Sequence, residues 1–371
     1  MNTGLYIHIP FCKSKCKYCD FNSYANMEKY TALYFSALLE EAEHYAKINP
    51  TVFDTVYFGG GTPTSVDIDL LCDSINTLRS VMKIHPDAEI CAECNPGTID
   101  YEGLKKLRLS GINRLSIGLQ TTDDEKLKVL GRIHTLNDFN TCFENARRAG
   151  FDNISIDLMY GLPDMTIEDW SDTLDKVCSF GAEHISCYSL KIEDGTPFAK
   201  MQLNLPDDDL SADMYQLAVE KLNRFGYERY EISNFAKPGR ESRHNLKYWH
   251  CDDFLGLGAG AYSCIGNHRF SNVSGLCEYI DAVNCCGTAI DWNSEESASD
   301  KMSEFMFLGL RCSQGVSYRE FKSRFGCSFT EVFATPIKKY TDWGFLILEG
   351  DCLKFSDKGF FVSNTILADF V

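Results

Sequence analysis

The sequence predicts an α/β protein: an incomplete (β/α)6 TIM-like barrel over residues 1–226, a connecting region over 227–295, and a small C-terminal helical, winged-helix-like domain over 296–371. Three observations predict it. Strand-like apolar runs alternate with amphipathic helical stretches through the first two thirds of the chain, special polar residues collect where the runs end, and the pattern changes near residue 296 to clustered helices and one hairpin. With 44% hydrophobic and 13% aromatic residues there is material for a large core.

The strands read as Leu5–Ile9, Thr55–Phe58, Glu89–Cys94, Arg114–Leu119, Asn153–Met159 and His184–Leu190, with helices at about 28–47, 67–82, 100–109, 123–149, 166–180 and 208–225 between and after them. Capping residues open several helices, as at Thr166-Ile-Glu-Asp169 and Ser211, and glycines close others, as at Gly150, Gly181 and Gly226. Near-continuous apolar strands joined by crossover helices imply a parallel sheet covered on its outside. In such a sheet functional groups gather at the C-terminal strand ends. The stretch from Tyr227 to Gly287 is expected to close the barrel mouth. Beyond it, Ser299–Leu310, Ser317–Phe325 and Phe333–Trp343 read as helices, and Phe345–Leu348 with Cys352–Phe355 as a hairpin turning at Glu349-Gly-Asp351.

The formal net charge of −17 argues against a nucleic-acid partner, so the C-terminal module is expected to pack, to cover substrate or to dock a partner. There is no leading segment of signal type and no 18-residue apolar run, which predicts a cytoplasmic protein. Cysteines there stay reduced, so seventeen of them point to thiols and metal, not to a disulfide frame.

The densest cysteine cluster is Cys12-Lys-Ser-Lys-Cys16-Lys-Tyr-Cys19, directly behind Leu5-Tyr-Ile-His-Ile-Pro-Phe11. Thiols spaced three and then two residues apart can fold around an iron–sulfur cluster. Three ligands leave one iron of a cubane without a protein partner, and an open coordination position is where a metal site does chemistry. Structural zinc normally takes four ligands, and no partner pair stands out. Cys91 and Cys94 alternate with apolar residues as strand cysteines do, and Cys285-Cys286 reads as structural.

Other candidates recur at strand ends: Gly59-Gly-Gly-Thr-Pro63 after the second strand, Glu93, Asn95 and Pro96 ending the third, Gln120 ending the fourth with Arg132 following, and Asp157 in the fifth before Tyr160-Gly-Leu-Pro163. The glycine run either lets a ligand meet bare backbone or makes a tight βα turn. Any one polar residue could bond only to its neighbours, but their shared rim favours a common ligand. A zwitterionic amino acid with a ribose would use such a set: Glu for an amine or hydroxyls, Arg for a carboxylate, Asp and Gln for sugar hydroxyls.

Here the sequence resembles the oxygen-independent coproporphyrinogen oxidase-like family of radical S-adenosylmethionine (SAM) proteins over essentially its whole length. Tyr6-Ile-His-Ile-Pro-Phe-Cys12, Phe58-Gly-Gly-Gly-Thr-Pro63, Glu93-Cys-Asn-Pro96, Ser116-Ile-Gly-Leu-Gln120, Ile156-Asp-Leu-Met-Tyr-Gly-Leu-Pro163 and Gly256-Leu-Gly-Ala-Gly-Ala-Tyr-Ser263 fall in family order. The resemblance implies that Cys12, Cys16 and Cys19 bind a 4Fe-4S cluster and that Tyr6, Gly59, Gly60, Gly61, Thr62, Glu93, Gln120, Arg132 and Asp157 contact SAM. In the true oxidases the cysteine motif runs on into a further nearby cysteine and the N-terminal region is longer. Here Asp20-Phe21-Asn22-Ser23 follows Cys19, and eleven residues precede Cys12. Instead His244-Asn-Leu-Lys-Tyr-Trp249 matches the His-Asn-x-x-Tyr-Trp signature of the HemW-type heme chaperones. The resemblance therefore implies heme contacts from His244, Asn245, Tyr248 and Trp249, with His244 as axial ligand and His250 as its substitute. It also implies an electron donor for the cluster and a heme-accepting protein, a respiratory heme protein met at the inner face of the membrane. The alternative function is oxygen-independent oxidative decarboxylation of coproporphyrinogen III.

Overall fold

The computed structural model describes residues 3–48 and 51–371. Six strands, β1 (Thr3–Ile9), β2 (Val52–Gly60), β3 (Lys83–Cys94), β4 (Arg114–Gln120), β5 (Ile154–Tyr160) and β6 (His184–Ser189), lie side by side in parallel and in chain order. The six expected βα units are therefore present. Two short strands follow: β8 (Asn234–Ala236) pairs antiparallel with β6, and β7 (Glu228–Arg229) antiparallel with β8. At the other edge β9 (Phe254–Leu257) pairs in parallel with β1, and β10 (Tyr262–Ile265), β11 (His268–Asn272) and β12 (Ile290–Glu295) follow antiparallel. The twelve strands run β12-β11-β10-β9-β1-β2-β3-β4-β5-β6-β8-β7, so the sheet stays open. The parallel strand β9 was not expected: it has four residues, and Gly256 breaks its apolar pattern.

Helices α1 (Thr31–Ile48), α2 (Ile68–Val81), α3 (Tyr101–Ser110), α4 (Asp124–Leu130), α5 (Leu136–Arg148), α6 (Ile167–Ser179) and α7 (Asp208–Arg224) cross between the strands. α6 shows why: Thr166 and Asp169 form a capping box, and Trp170, Thr173, Leu174, Val177 and Cys178 make one buried stripe at three- and four-residue spacing. Indole Nε1 of the fully buried Trp170 donates to the Met214 carbonyl at 2.8 Å, tying α6 to α7. The stretch 123–149 is two helices, not one. Gly131 takes φ +78 and ends α4, and a second capping box at Thr135 and Asp138 starts α5. That break frees Arg132 to turn inward.

The strands are not apolar on both faces, as a fully buried parallel sheet would be. Outward positions such as Leu5, Ile7, Ile117, Ile154, Ile156 and Ile185 are buried under the helices. The alternate positions carry Tyr6, His8, Tyr57, Glu93, Ser116, Ser155, Asp157 and Ser186. The period of two thus gives the sheet an apolar outside and a polar inside.

α8 (Arg243–Trp249) lies across the N-terminal strand ends, opposite the cysteine loop, and not over the mouth as the sequence suggested. The reason is long-range pairing: Glu89 accepts the His244 amide at 3.1 Å and Lys247 pairs with Asp54 at 2.7 Å, both carboxylates being at the starts of the central strand segments. α9 (Leu276–Cys286) packs on α1. Beyond it, α10 (Ala298–Gly309), β13 (Val316–Ser317), α11 (Tyr318–Phe325), α12 (Phe329–Val332), α13 (Ala334–Asp342), β14 (Leu346–Glu349), β15 (Cys352–Phe355), α14 (Asp357–Phe361) and α15 (Ser363–Leu367) enclose a separate core around Phe305, Phe321, Phe329 and Leu353.

Candidate functional site

A cavity of about 390 Å3 opens at the C-terminal strand ends. Cys12, Cys16 and Cys19 line it together with Gly60, Gly61, Thr62, Glu93, Asn95, Gln120, Arg132 and Asp157, so most of the residues singled out in the sequence meet there. All three cysteines are free and half-buried. Burial pushes the Cys12 and Cys19 thiols up from their ordinary range. Among the described residues no three metal-binding side chains converge on a single ion. A cubane does not need that, because its three ligated irons sit at separate corners.

The loop is held from several sides. The Lys17 amide donates to the Leu130 carbonyl at 2.9 Å, the Phe198 amide to the Lys17 carbonyl at 3.0 Å, and the Cys19 amide to the Cys16 carbonyl at 3.3 Å. Asn22 Nδ2 donates to the carbonyls of Ala259 and Ser274 at 3.0 and 2.9 Å, while His8 Nε2 meets the Asn22 carbonyl at 2.7 Å. The turn 258–260 that receives Asn22 is braced by the buried carboxylate of Glu41. It accepts from the Gly258 amide at 2.9 Å, Asn272 Nδ2 at 2.6 Å and the Tyr279 hydroxyl at 2.6 Å. Burial, only partly offset by these bonds, pushes the Glu41 carboxyl up to about 7. The Gly256 to Ser263 motif therefore supports the cysteine loop from behind.

The glycine run is needed for close approach within the protein. A Cβ at Gly61 would stand 2.6 Å from the Phe11 carbonyl oxygen, and one at Gly60, where φ is +112, would stand 2.5 Å from the His8 ring. Gly59 abuts Tyr57 and Glu93 and does not reach the cavity. Tyr6 also stands back, stacked on Tyr57 with its hydroxyl 3.0 Å from His8 Nδ1.

Thr62, Asn95 and Arg132 form a chain. Asn95 Nδ2 donates to Thr62 Oγ1 and Arg132 NH1 donates to Asn95 Oδ1, both at 2.7 Å. Arg132 Nε is buried with no hydrogen-bond partner among the described residues. The guanidinium as a whole lines the cavity beside Tyr18 and the cysteine loop, and a buried cation at a cavity wall suits an anionic ligand. Gly118 makes room for the chain, since a Cβ there would stand 2.8 Å from Asn95 Oδ1. Beside it Gln120 takes φ +73 at a register shift of β4, backbone strain of the kind that re-aims a side chain at a site. Glu93 accepts from the Tyr57 hydroxyl at 3.0 Å and the Gly60 amide at 3.2 Å. Burial and then the nearby Asp157 push its carboxyl up to about 7.

Deeper in, Asp157 accepts from Ser116 and Ser186 at 2.8 Å and from Ser155 at 3.1 Å. Burial raises its pKa. Arg114, His184 and Tyr188 also line the cavity. These residues were missed in the sequence. The signal was available, because Arg114, Ser116, Ser155, His184 and Ser186 are polar interruptions at period two in otherwise apolar strands.

The signature helix α8 forms the floor, where Ser242 and Asn245 reach the cavity. His244 is 1% exposed, stacks on Tyr57, and has both ring nitrogens engaged: Nδ1 with Thr55 Oγ1 at 2.9 Å, Nε2 with the Tyr248 hydroxyl at 2.8 Å. Burial and then Lys247 lower its pKa to about 3, so it is neutral. The expectation that His244 offers a free nitrogen to heme iron is not met in this arrangement, since neither lone-pair position faces open space. Tyr248 faces away from the cavity, its ring edge-on to Phe254 at 4.7 Å. Trp249 and His250 are half-buried at the end of the helix.

The model of the radical SAM superfamily matches residues 6–177, and that of the HemN C-terminal domain residues 297–362. A relative from Bacillus subtilis named heme chaperone HemW is 38% identical across 99% of this chain and 98% of its own length. A second of that name, from Lactococcus lactis, is 34% identical across 99% and 96%. The mouse protein named radical S-adenosyl methionine domain-containing protein 1, mitochondrial, is 31% identical across 98% and 86%. Among solved structures, the Escherichia coli radical SAM enzyme coproporphyrinogen III oxidase (HemN) superposes with a TM-score of 0.88 at 25% identity, over 100% of this chain and 90% of that one.

Proposed function

The chain belongs to the radical SAM superfamily and, within it, to the family of the heme chaperones named HemW; from that premise we propose that it binds a 4Fe-4S cluster, SAM and heme, and passes the heme to an acceptor protein. The observation that carries the reading is one cavity lined both by three free thiols and by the guanidinium of Arg132. When bound, the cluster supplies an open iron to chelate the amino and carboxylate groups of SAM, and an electron when reduced.

The chain's own residues do the rest. Cys12, Cys16 and Cys19 hold the cluster at the rim. Arg132, oriented by Asn95 and Thr62, faces the ligand carboxylate with its guanidinium. Glu93, poised near neutral pH, ionises against the ligand ammonium, because a nearby cation favours the charged carboxylate. Gln120 and Asp157 take ribose hydroxyls, with Ser116, Ser155 and Ser186 fixing the Asp157 carboxylate. Gly60 and Gly61 keep the backbone tight behind the cluster loop.

Among the described residues no helix is long and apolar enough to cross a membrane. The chain works in the cytoplasm, and docks peripherally at the membrane's inner face when its acceptor is a respiratory heme protein. The test is a paired assay on anaerobically reconstituted protein. Heme uptake and transfer to an apo-acceptor, without decarboxylation of coproporphyrinogen III in the presence of SAM and reductant, supports the reading. Porphyrinogen turnover without heme transfer would make this chain an oxidase.

A further inference from the structure

A second and larger cavity, of about 1060 Å3, lies on the far side of α8, between the β9–β10 hairpin and the C-terminal α10 and α11. Nothing in the proposed cluster and SAM chemistry uses it. Its volume lies just above the ~300–1,000 Å3 range of small-molecule pockets. Tyr248 and Phe254 form one wall, and Met302, Leu308 and Phe325 the other. Two thiols, Cys251 and Cys264, face it, and Cys251 stands two residues beyond Trp249 in a left-handed conformation with φ +53. Four cations, Arg269, Lys301, Arg319 and Arg324, lie along it beside four carboxylates, Asp252, Asp253, Glu304 and Glu320, and Lys301 donates to the Gly266 carbonyl. Arg269 and Arg324 are tied to carboxylates on short bonds, whereas Arg319 is 89% exposed and only 3.6 Å from Asp351, a loose surface pair that can re-pair at little cost.

We propose that this groove is the seat of the heme cargo: the macrocycle lies between the Tyr248–Phe254 and Met302–Leu308–Phe325 walls, its propionates meet Arg319 and Lys301, and its iron takes the sulfur of Cys251. The proposal rests on the heme reading above. Aromatic walls, a sulfur donor and cations at a mouth are what a flat apolar dicarboxylate with a soft-ligand iron needs. On binding ferric heme the Cys251 thiol releases its proton to solvent as the Fe–S bond forms, and the iron keeps its oxidation state. The signature helix then acts through Tyr248. Thr55 holds His244, His244 holds the Tyr248 hydroxyl, and the Tyr248 ring closes the groove. His244 is a positioning residue in this account, which explains why it is neutral, buried and fully bonded.

The test titrates hemin into the full reconstituted chain, followed by absorbance and by electron paramagnetic resonance. Wild type is expected to show the absorbance and paramagnetic resonance signature of a thiolate-ligated ferric heme. Cys251→Ser is expected to abolish that signature and weaken binding by about 100-fold, the upper scale on which even the outer partners of a metal site matter. Leu308→Trp, which fills the groove, should block uptake while leaving cluster iron and SAM affinity at wild-type values. Arg319→Glu, on the exposed rim, should weaken heme but not its dimethyl ester. Tyr248→Phe, which loses the bond with His244, should weaken binding, and Tyr248→Ala should lose it. If wild type binds heme and neither Cys251→Ser nor Leu308→Trp alters spectrum or affinity, the cargo sits elsewhere and the site is wrong. A histidine-type spectrum lost in His244→Gln would return the iron to His244. If wild type takes up no heme at all, the chaperone reading fails together with the site.

Discussion

Replacing Glu41 by Gln isolates a buried charge that braces the cysteine loop from behind. The Glu41 carboxyl is raised from an ordinary 4.5 to about 7, chiefly by burial. A group whose folded value lies above its unfolded one holds its proton more tightly when folded. Its contribution to stability is fully present below the unfolded value and is lost as pH rises through the folded one. Moving from 4.5 to about 7 is worth about 3 kcal/mol at 1.36 kcal/mol per decade. In Glu41→Gln the carbonyl can still accept from Gly258 and Tyr279, but the new amide faces Asn272 Nδ2, at a cost of about 1 kcal/mol. Urea unfolding between pH 5 and pH 8.5 should therefore show the wild type losing about 2.5 kcal/mol more than Glu41→Gln over that range, with the variant close to wild type at pH 5 and the more stable at pH 8.5. Parallel stability–pH curves for the two would refute the reasoning, because Glu41 would then carry the same charge folded and unfolded.

Asn95→Ala removes both 2.7 Å bonds that aim Arg132, and SAM affinity measured by equilibrium dialysis should fall by about tenfold or more, the effect of 1–3 kcal/mol. Gly61→Ala places a methyl 2.6 Å from the Phe11 carbonyl. It should cost about 1–3 kcal/mol in denaturant midpoint and lower the iron incorporated on reconstitution. Trp170→Ala, far from the cavity, should cost about 3–5 kcal/mol of stability while leaving SAM affinity in the surviving folded fraction unchanged.

The parts of the fold that repeat locally were legible. Six apolar runs and their capped helices marked β1–β6 and the crossovers to within a few residues, apart from β3, which begins at Lys83 and not at Glu89, and the cysteine spacing marked the loop. What remained hidden depends on contacts between distant residues. The four-residue β9 is a strand only because β1 accepts it, and α8 is a floor only because Glu89 and Asp54 hold its backbone and its lysine. The helix break at Gly131 was written in the sequence, but the amphipathic pattern on both sides concealed it. The serines around Asp157 show the limit from the other direction. Each reads alone as an ordinary strand hydroxyl, and only the register Ser116 to Ser155 and Asp157 to Ser186 brings them onto one carboxylate. The glycine run had two readings, and a Cβ at Gly60 or Gly61 colliding with protein atoms favours tight packing behind the loop.

The central claim, that the cysteine loop and the polar rim form one cluster-and-SAM site, is tested most directly by Mössbauer spectroscopy of 57Fe-reconstituted protein with and without SAM. The account predicts that one iron of the cluster changes its isomer shift when SAM is added, that Arg132→Ala weakens this response, and that serine at Cys12, Cys16 and Cys19 abolishes the cluster. A cluster whose irons are indifferent to SAM, or one that survives loss of the three thiols, would contradict it.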